Sequence, residues 1–376
     1  VAVHKAVDLV RRLVEEGASV QVIMTDASRN FITPLSFELA SQNKVHTDTF
    51  QYPLSHITLV SDADLFVIAP ATANIIGKFA HGIADDILST SLITFRGNVL
   101  IAPAMNWRMY ENPVVQSNLR HLRSLGVSQV GPERGTLACG DEGLGRMSEV
   151  QDIMEAIRSA LSKKDLSGKK ILVTAGPTRE YLDPIRFISN RSSGKMGYAI
   201  ARAALRRGAE VFLVSGPSHC TPPRGTDVLL VETAEEMREG VFRNLKGTHA
   251  IVMAAAVADF SPEDRSTEKI DKSRVSLLNL KKTPDILSEI GSLKEKPFLV
   301  GFAAETEHDV SRARKKLIEK GADLMVLNNV MSHGSGFDVD TNEITIIEKK
   351  TESSFPLMSK DDVADVLLDR IVHFIP

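Results

Sequence analysis

The sequence predicts an α/β protein with two doubly wound domains, each built of three layers. Short apolar runs of strand length alternate with amphipathic stretches of helix length along the whole chain. This alternation stops once, in the polar and aperiodic segment 163–170, and then restarts. The length of 376 residues also exceeds what one ordinary core accommodates. We therefore expect domains at 1–162 and 171–376, joined by a linker at 163–170.

The apolar runs and the amphipathic stretches predict the individual elements. The expected strands are 20–24, 65–69, 99–102, 171–174, 211–215, 228–231, 250–254, 298–302, 324–327 and 344–347. Helices are expected after 29, 72 and 113, at about 149–161, from about 194, and at 234–245, 284–290, 309–320 and 360–373. Ligands of such sheets bind at the carboxyl ends of the strands, so the loops there are the candidate sites.

The first residues predict a helix rather than a strand. Val3, Val7, Val10 and Val14 lie on one face of a helix that Gly17 can end. In α/β proteins a helix that leads into a strand usually follows an earlier strand. The sequence also begins without Met. We expect that it lacks a first strand and the turn after it.

Composition excludes several classes of protein. The formal net charge of −3 gives no reason to expect nucleic acid or an anionic membrane as partner. No apolar run approaches the ~20 residues that span a bilayer. The two cysteines, Cys139 and Cys220, argue against a disulfide scaffold and indicate a reducing cytoplasm. Cys220 and His219 alone are a poor zinc signal.

Two loops of the first domain can bind anionic groups. Thr72 and Asn74 open a helix whose free N–H groups can hold an anion, although for this loop taken alone Thr72 as a simple helix cap is the better explanation. Asn106 follows the strand at 99–102 and can bind a carboxylate, with Met105 as an apolar wall. A turn Asn beside a core Met is the alternative.

A third loop, 138–147, surrounds Cys139 with glycines, which indicates a mobile flap. A thiol with a pKa near ~8.5 is mostly protonated at neutral pH and can donate a proton. The alternative for a free Cys is a small buried apolar side chain.

These loops together resemble the flavin-dependent cysteine decarboxylases, specifically the 4′-phosphopantothenoylcysteine decarboxylase family. The motifs Pro-Ala-Met-Asn at 103–106 and Ala-Cys-Gly-Asp at 138–141 occur in family order, and His56 matches the family's active-site histidine. The resemblance implies that flavin oxidises the cysteine thiol of the substrate so that CO2 can leave. Asn106 then binds the carboxylate, Met105 lines it, Cys139 gives a proton, and His56 acts from a neighbouring subunit. The residues implied for FMN binding are Thr25, Phe31, Thr72, Ala73, Asn74 and Ile75. The family's Gly-Gly turn is absent, which leaves flavin affinity open.

The second domain contains a helix start that superficially resembles a phosphate loop. Ser192, Ser193 and Gly194 can bind phosphate there, but the spacing is neither a Walker A motif nor a dinucleotide fingerprint. A capped helix with a solvated Lys195 is the alternative. Further small or charged loops follow at 253–259, 268–272, 282–286 and 301–305.

This set resembles phosphopantothenate–cysteine ligase of the bacterial, CTP-using type. The resemblance implies activation of 4′-phosphopantothenate as an acyl-cytidylate, with Mg2+ at the phosphates, followed by attack of the cysteine amine. Asn190 and Lys269 match catalytic positions, and Asp259 is a candidate Mg2+ contact. The substrate-binding residues implied by this second resemblance are Met253, Ala254, Ala255, Asp259, Lys269, Pro284, Asp285, Ile286, Leu287, Phe302, Lys316 and Lys320, in addition to Met105 and Asn106 from the first. Residues alone do not distinguish CTP from ATP.

Both resemblances predict consecutive steps of coenzyme A biosynthesis on one chain, in two Rossmann-like domains, flavoprotein-type and then ligase-type. The ligase product is the decarboxylase substrate, which favours the pairing. The alternative is a ligase whose first half is only a flavin-binding or assembly scaffold. A nicotinamide oxidoreductase is disfavoured by the missing fingerprint. By resemblance we expect a homo-oligomer, a dodecamer with trimeric contacts between flavin halves and dimeric contacts between ligase halves.

Overall fold

The computed structural model describes residues 2–49, 54–136, 140–271, 277–305, 309–329, 334–336 and 338–375. Backbone proximity divides the chain into two compact units, Val1–Ser162 and Lys163–Pro376. The sheet of the first unit is parallel, and that of the second is parallel except at β16 and β17, which pair antiparallel. Helices cover both faces of each sheet, which confirms the predicted three-layer α/β class.

The first unit is organised around a three-stranded parallel sheet in the order β1-β2-β3. Its strands are β1 (Leu65–Ala71), β2 (Asn98–Pro103), β3 (Ser128–Gln129) and the separate hairpin β4 (Glu133–Thr136) and β5 (Glu142–Arg146). Its helices are α1 (Val3–Glu15), α2 (Asp26–Arg29), α3 (Pro34–Ser41), α4 (Ser55–Thr58), α5 (Ala73–Ala80), α6 (Ile87–Thr94), α7 (Trp107–Tyr110), α8 (Pro113–Ser124) and α9 (Val150–Leu161).

Apolar side chains of β2 alternate between two cores. Ile101 packs in one core with helices α5 and α8, whereas Leu100 and Ala102 pack in the other with α1 and α9. Both faces of the strand are therefore covered, which explains why β2 is an uninterrupted apolar run and was predictable.

The predicted strand at 20–24 is wrong in its extent. Within the described residues, Ile23 forms an isolated parallel bridge with His46, supported by hydrogen bonds from Met24 N–H to His46 O and from His46 N–H to Val22 O, each 2.9 Å. An apolar run becomes a strand only where a neighbouring strand pairs with it, and here the pairing is one bridge long.

The second unit contains an eight-stranded sheet in the order β10-β9-β6-β11-β14-β15-β16-β17. The strands of the second unit are β6 (Lys170–Ala175), β7 (Arg179–Tyr181), β8 (Phe187–Ser189), β9 (Glu210–Ser215), β10 (Asp227–Leu230), β11 (Ala250–Met253), β12 (Phe260–Pro262), β13 (Leu280–Lys282), β14 (Phe298–Glu305), β15 (Leu324–Asn329), β16 (Thr341–Ile347) and β17 (Glu352–Ser359). Its helices are α10 (Lys195–Arg206), α11 (Ala234–Arg243), α12 (Ile286–Gly291), α13 (Val310–Glu319) and α14 (Lys360–Val372).

Successive residues of the central strands point to opposite faces of this sheet. Ile171 and Val173 pack with α10 and α14, while Leu172 and Ile251 pack with α11, α12 and α13. The seven strands predicted between 171 and 347 are all present. The short polar strands of the hairpins β7–β8 and β12–β13, and the edge strand β17, were not predicted.

The segment 163–170, predicted as a linker, packs against the second unit. Leu166 is fully buried in the core beside α10 and α14. Arg207 donates from Nε and Nη2 to Asp165 at 2.9 and 2.6 Å. The change from one unit to the next therefore occurs at Ser162, and this segment is part of the second unit.

Candidate active sites

The loops after β1 and β2 lie side by side at one edge of the first sheet. Ala71 is in register with Pro103, and Ala104 N–H donates to Ala71 O at 3.0 Å. The two strands are parallel, so their carboxyl ends meet there. The predicted anion loop at Thr72 is thereby adjacent to the loop that contains Asn106.

The loop at Thr72 has the features that a phosphate or flavin group requires. Thr72 is the N-cap of α5, and its hydroxyl makes no capping hydrogen bond. Thr72 and Asn74 are exposed and Ala73 is partly exposed, so the helix start is accessible. Ile75, in contrast, is 6% exposed and packs in the core, so it can offer a ligand only its main chain. The residues present fit an FMN phosphate at a helix N-terminus.

The hairpin β4–β5 is attached directly to the Asn106 loop. Met105 N–H donates to Gly145 O at 3.0 Å, and a Cβ at position 145 would overlap Met105 O. A Cβ at Gly143 would lie 2.6 Å from Cβ of Trp107. These two glycines therefore permit close approach of two backbones, a role that the sequence pattern did not reveal. Cys139 lies outside the described residues.

Trp107 joins the same two segments through its ring nitrogen. Nε1 of Trp107 donates to Asp141 Oδ2 at 3.3 Å, beside the end of the hairpin. Asn106 is the N-cap of α7, and its Oδ1 accepts from Arg108 N–H at 2.9 Å. The cap fixes the side-chain orientation of Asn106 at the start of α7.

The remaining predicted residues of the first unit lie on other elements. His56 is half-buried in α4, which packs against α6. Thr25 caps α2 by accepting from Ser28 N–H at 3.3 Å, and Phe31 is 66% exposed. That His56, Thr25 and Phe31 contribute to the same site as the three loops stays a prediction.

Asn190 lies at the point of the second sheet where the strand order reverses. The first strand of the unit, β6, has β9 on one side and β11 on the other, which is the arrangement that forms a ligand crevice in α/β proteins. Nδ2 of Asn190 donates to Val257 O at 2.9 Å, in the loop that follows β11. Ser189 Oγ donates to Thr178 O at 2.7 Å, in the loop that follows β6. Asn190 is thus connected to both sides of the crevice and is itself exposed.

The loops around the start of α10 pack closely because Gly194 and Gly216 have no side chain at the points of contact. A Cβ at Gly194, which has φ +81°, would lie 2.8 Å from Ser218 Oγ, and a Cβ at Gly216 would overlap Pro177 O. Cys220 contributes to this packing, since its thiol donates to Ser193 O at 3.6 Å. Backbone N–H groups can therefore reach a phosphate closely here.

Lys195 keeps 35% of its side chain exposed, as the alternative of a solvated lysine expects, and it also forms an ion pair. Its ammonium pairs with Asp340 at 2.7 Å and donates to Asp338 O at 3.0 Å. The carboxylate of Asp340 raises the pKa of Lys195. Through these two contacts Lys195 connects the start of α10 to the segment before β16.

The loop after β11 is bound to β6 and to the loop that follows β6 through two threonine hydroxyls. Ala255 N–H donates to Thr174 Oγ1 at 3.1 Å, and Ala258 N–H donates to Thr178 Oγ1 at 2.9 Å. Met253 is buried and Ala254 is partly buried, so the loop presents a flat, small-residue surface. Asp259, at its end, is exposed, and its carbonyl accepts from Thr283 N–H at 3.1 Å.

The predicted nucleotide segment at Pro284 follows Thr283 directly. Asp285 is the N-cap of α12 and forms an ion pair with Lys320 at the end of α13. Ile286 is 3% exposed and belongs to the core, and Leu287 packs over Gly301. The contact to Asp285 is what brings the ammonium of Lys320 toward the predicted site.

Phe302 and Lys316 complete the predicted nucleotide residues. Phe302 is partly buried within β14, and Lys316 is partly buried in the last turn of α13. The helix α13 runs from the carboxyl end of β14 back toward the start of β15, so Lys316 is at the far end of that crossover. Its contact with a nucleotide stays a prediction.

Lys269 belongs to an exposed loop that is held by an ion pair between a buried carboxylate, Asp183, and a half-exposed arginine, Arg186. Asp183 is fully buried, and its carboxylate accepts from Ile270 N–H at 3.2 Å and from Arg186 Nη2 at 2.6 Å. Burial alone would raise the pKa of Asp183, but Arg186 and the backbone N–H groups of Ile185, Arg186 and Ile270 hold it well below its usual range. Sequence reasoning missed this pair, and its only local signal was an Asp-Pro turn.

Within the described ranges, no group of three or more His, Cys, Asp or Glu side chains is placed to hold a metal ion. Nor is any helix there long and apolar enough to cross a membrane. A divalent ion at Asp259 would therefore need ligands from the nucleotide phosphates.

Comparison with known proteins identifies both units. Residues 1–162 match the family model described as Flavoprotein, and residues 166–375 match the model described as DNA/pantothenate metabolism flavoprotein C-terminal domain. The Coenzyme A biosynthesis bifunctional protein CoaBC of Bacillus subtilis (strain 168) is 45% identical over 99% of this chain and 94% of its own length. The protein of that name from Escherichia coli (strain K12) is 41% identical over 99% and 94%.

Among solved structures, the C-terminal domain of a coenzyme A biosynthesis bifunctional protein is 40% identical, with a TM-score of 0.49 over 56% of this chain and 97% of that one. An FMN-dependent cysteine decarboxylase is 30% identical, with a TM-score of 0.37 over 43% and 89%.

The two units define a two-part enzyme, a flavoprotein decarboxylase followed by a ligase. The chain belongs to the family of bifunctional coenzyme A biosynthesis proteins. Both family resemblances stated from the sequence motifs are confirmed.

Proposed function

We propose that the second unit joins 4′-phosphopantothenate to cysteine at the expense of CTP, and that the first unit decarboxylates the product with FMN. Two observations support the ligase role best. Asn190 directly follows the hairpin β7–β8 and donates to Val257 O at the sheet's switch point. The Lys269 loop is bound to the turn of the same hairpin through Ile270 and Asp183. We expect the amide of Asn190 and the ammonium of Lys269 to face a nucleotide in the crevice at this switch point.

In the ligase reaction, a carboxylate oxygen of 4′-phosphopantothenate attacks the α-phosphorus of CTP, and pyrophosphate leaves. The cysteine amine then attacks the acyl carbon, so that an amide forms and CMP leaves with loss of a proton to solvent. Asn190 orients the acyl-cytidylate, and Lys269 offsets the negative charge that develops on it. Mg2+ accompanies the phosphates, with Asp259 as a contact.

In the decarboxylase reaction, this chain's residues bind, orient and protonate. FMN supplies, when bound, an acceptor for two electrons of the substrate thiol and a donor that later returns them. The loop of Thr72 and Asn74 binds the FMN phosphate. Asn106 holds the substrate carboxylate beside Met105, and Cys139 gives a proton to the product.

We also propose a homo-oligomer in which His56 serves a neighbouring subunit. Each unit exposes large apolar side chains of the kind that association covers, including Phe31 (66%) and Leu39 (75%) in the first and Ile185 (60%) and Leu277 (80%) in the second. Light scattering on the purified protein measures the mass. A dodecamer is the expected result, and a monomer at micromolar concentration would overturn the proposal.

The decisive experiment is incubation of the purified protein with 4′-phosphopantothenate, cysteine, CTP and Mg2+, followed by mass spectrometry. Formation of CMP and 4′-phosphopantetheine is expected. Phosphopantothenoylcysteine as the end product would leave a ligase with a scaffold first half. Absence of CMP from a folded sample would overturn the proposed ligase reaction. Parallel reactions with ATP, and with EDTA, test the nucleotide and the metal.

A further inference from the structure

Asp183 makes more hydrogen bonds than an ordinary turn residue needs. Oδ1 accepts from the N–H groups of Ile185 and Arg186, each at 2.8 Å. Oδ2 accepts from Arg186 Nε at 2.8 Å, from Arg186 Nη2 at 2.6 Å and from Ile270 N–H at 3.2 Å. A buried carboxylate is strongly unfavourable without such partners, and here five donors compensate it.

The same ion pair holds both polar groups of one backbone residue. Ile270 donates its N–H to Asp183, and its carbonyl accepts from Arg186 Nη2 at 2.6 Å. A further contact nearby, from Ser266 N–H to Leu182 O at 2.8 Å, binds the same loop to the same turn. Ile270 is the residue after Lys269, so the ion pair fixes the backbone from which the Lys269 side chain extends.

The turn that carries Asp183 also leads to Asn190. Strand β8 begins four residues after Asp183 and ends at Ser189, and β7 and β8 are paired from Arg179–Ser189 to Tyr181–Phe187. Asn190 itself is fixed to Val257 O. The hairpin β7–β8 therefore lies between Asn190, which follows its last strand, and the Lys269 loop, which Asp183 binds at its turn.

We propose that Asp183 is a positioning residue for Lys269 in the ligase reaction. It acts by holding the 269–270 backbone against the hairpin that carries Asn190, so that the ammonium of Lys269 meets the acyl-cytidylate in a fixed geometry. The inference rests on the proposed function, because it takes the roles of Asn190 and Lys269 from there.

The test is a double-mutant cycle on the full chain, with Asp183→Asn, Lys269→Gln and the double variant. The two steps are followed separately in single turnovers, as pyrophosphate release before cysteine is added and CMP release after it. Asp183→Asn should slow whichever step Lys269→Gln slows, by up to about 100-fold, as expected for a misplaced catalytic group. When Lys269→Gln is already present, adding Asp183→Asn should reduce the rate of that step by less than a further twofold.

Asp165→Asn is the matched control, because Asp165 also accepts two hydrogen bonds from one arginine, Arg207, but far from this loop in sequence. It should leave the rates of both steps within twofold of the original protein. If Asp183→Asn does not fold, Asp183→Glu replaces it, since it retains the charge and displaces Ile270.

Three results would overturn the inference. An equal loss from Asp183→Asn in both backgrounds would indicate a structural role, and no loss in the original background would indicate no role. Lys269→Gln with unchanged rates would remove the proposed role of Lys269 as well. In contrast, if the original protein forms no CMP, the proposed function itself is wrong.

Discussion

The backbones of Met105 and Gly145 are in direct contact, with a hydrogen bond of 3.0 Å from Met105 N–H to Gly145 O. A Cβ at position 145 would overlap Met105 O, so this contact requires glycine. Through it, the hairpin that flanks residues 137–139 is held against the loop of Asn106. Two regions of the candidate decarboxylase site, separated by about 30 residues in sequence, are thus fixed to each other.

Gly145→Ala should impair decarboxylation and leave the ligase unaffected. The added methyl group pushes the Asn106 loop from the hairpin, and a displacement of about 1 Å can reduce the rate by about 100-fold. Conversion of phosphopantothenoylcysteine, followed by mass spectrometry, measures the loss. Gly135→Ala is the control in the same hairpin, because its Cβ would meet only the Arg146 side chain at 3.6 Å. Equal rates for the two variants would contradict the prediction.

Asp285→Asn should raise the KM for CTP by about tenfold with little change in stability. The asparagine still caps α12, as Asp285 does by accepting from Ser288 N–H at 3.1 Å, but it no longer attracts the Lys320 ammonium. Exposed ion pairs contribute only about 0–1 kcal/mol to folding, so the effect should be on binding. Asp309→Asn, at the cap of α13, is the matched control. An unchanged KM in Asp285→Asn would show that this pair does not serve the nucleotide.

Leu166→Ala should destabilise the ligase unit by about 2–5 kcal/mol, because it empties a fully buried position. Urea titration with ligase activity as the readout measures the effect, and decarboxylase activity in the same samples reports on the first unit. Leu161→Ala, at a side chain that is 51% exposed, should cost less than about 0.5 kcal/mol. A similar decrease in the free energy of unfolding for both variants would mean that 163–170 behaves as a linker.

Lys360 predicts a pH dependence of stability in the second unit. Its ammonium is buried, and it donates to Gly336 O at 3.0 Å and also to Val339 O. Burial, with repulsion from Lys195, lowers the pKa of Lys360 to about 8. The pKa of lysine in an unfolded chain is about 10.4. Between about 8 and about 10.4, Lys360 is therefore protonated in the unfolded chain and mostly neutral in the folded one. The free energy of unfolding should therefore rise with pH across that window.

The measurement is urea unfolding of the second unit at pH 7 to 10.5 in the original protein and in Lys360→Met. The free energy of unfolding of the original protein should increase relative to that of Lys360→Met as pH rises above about 8. Lys350→Met, at an exposed lysine, controls for the loss of one charge. Parallel pH profiles for the original protein and Lys360→Met would contradict the assignment.

Most of the fold could be predicted because its central strands are buried on both faces. Runs such as β6 and β11 are continuously apolar, and helices such as α10 have one apolar face, so each is visible within a few residues. The hairpins β7–β8 and β12–β13 were missed because their strands are three residues long and partly exposed. The run at 20–24 was overpredicted because apolarity alone does not provide a partner strand.

The sequence by itself determined two α/β units, the loops that follow their strands, and the families to which those loops belong. Only the tertiary structure decided that Asp183 binds Ile270, 87 positions away, that Lys320 pairs with Asp285, and that Gly145 lies on Met105. Periodicity is a local property, repeated every two or 3.6 residues, and it reports which face of an element is buried. Hydrogen bonds and close contacts between distant segments depend on how the elements are arranged in space, and no local pattern encodes that arrangement.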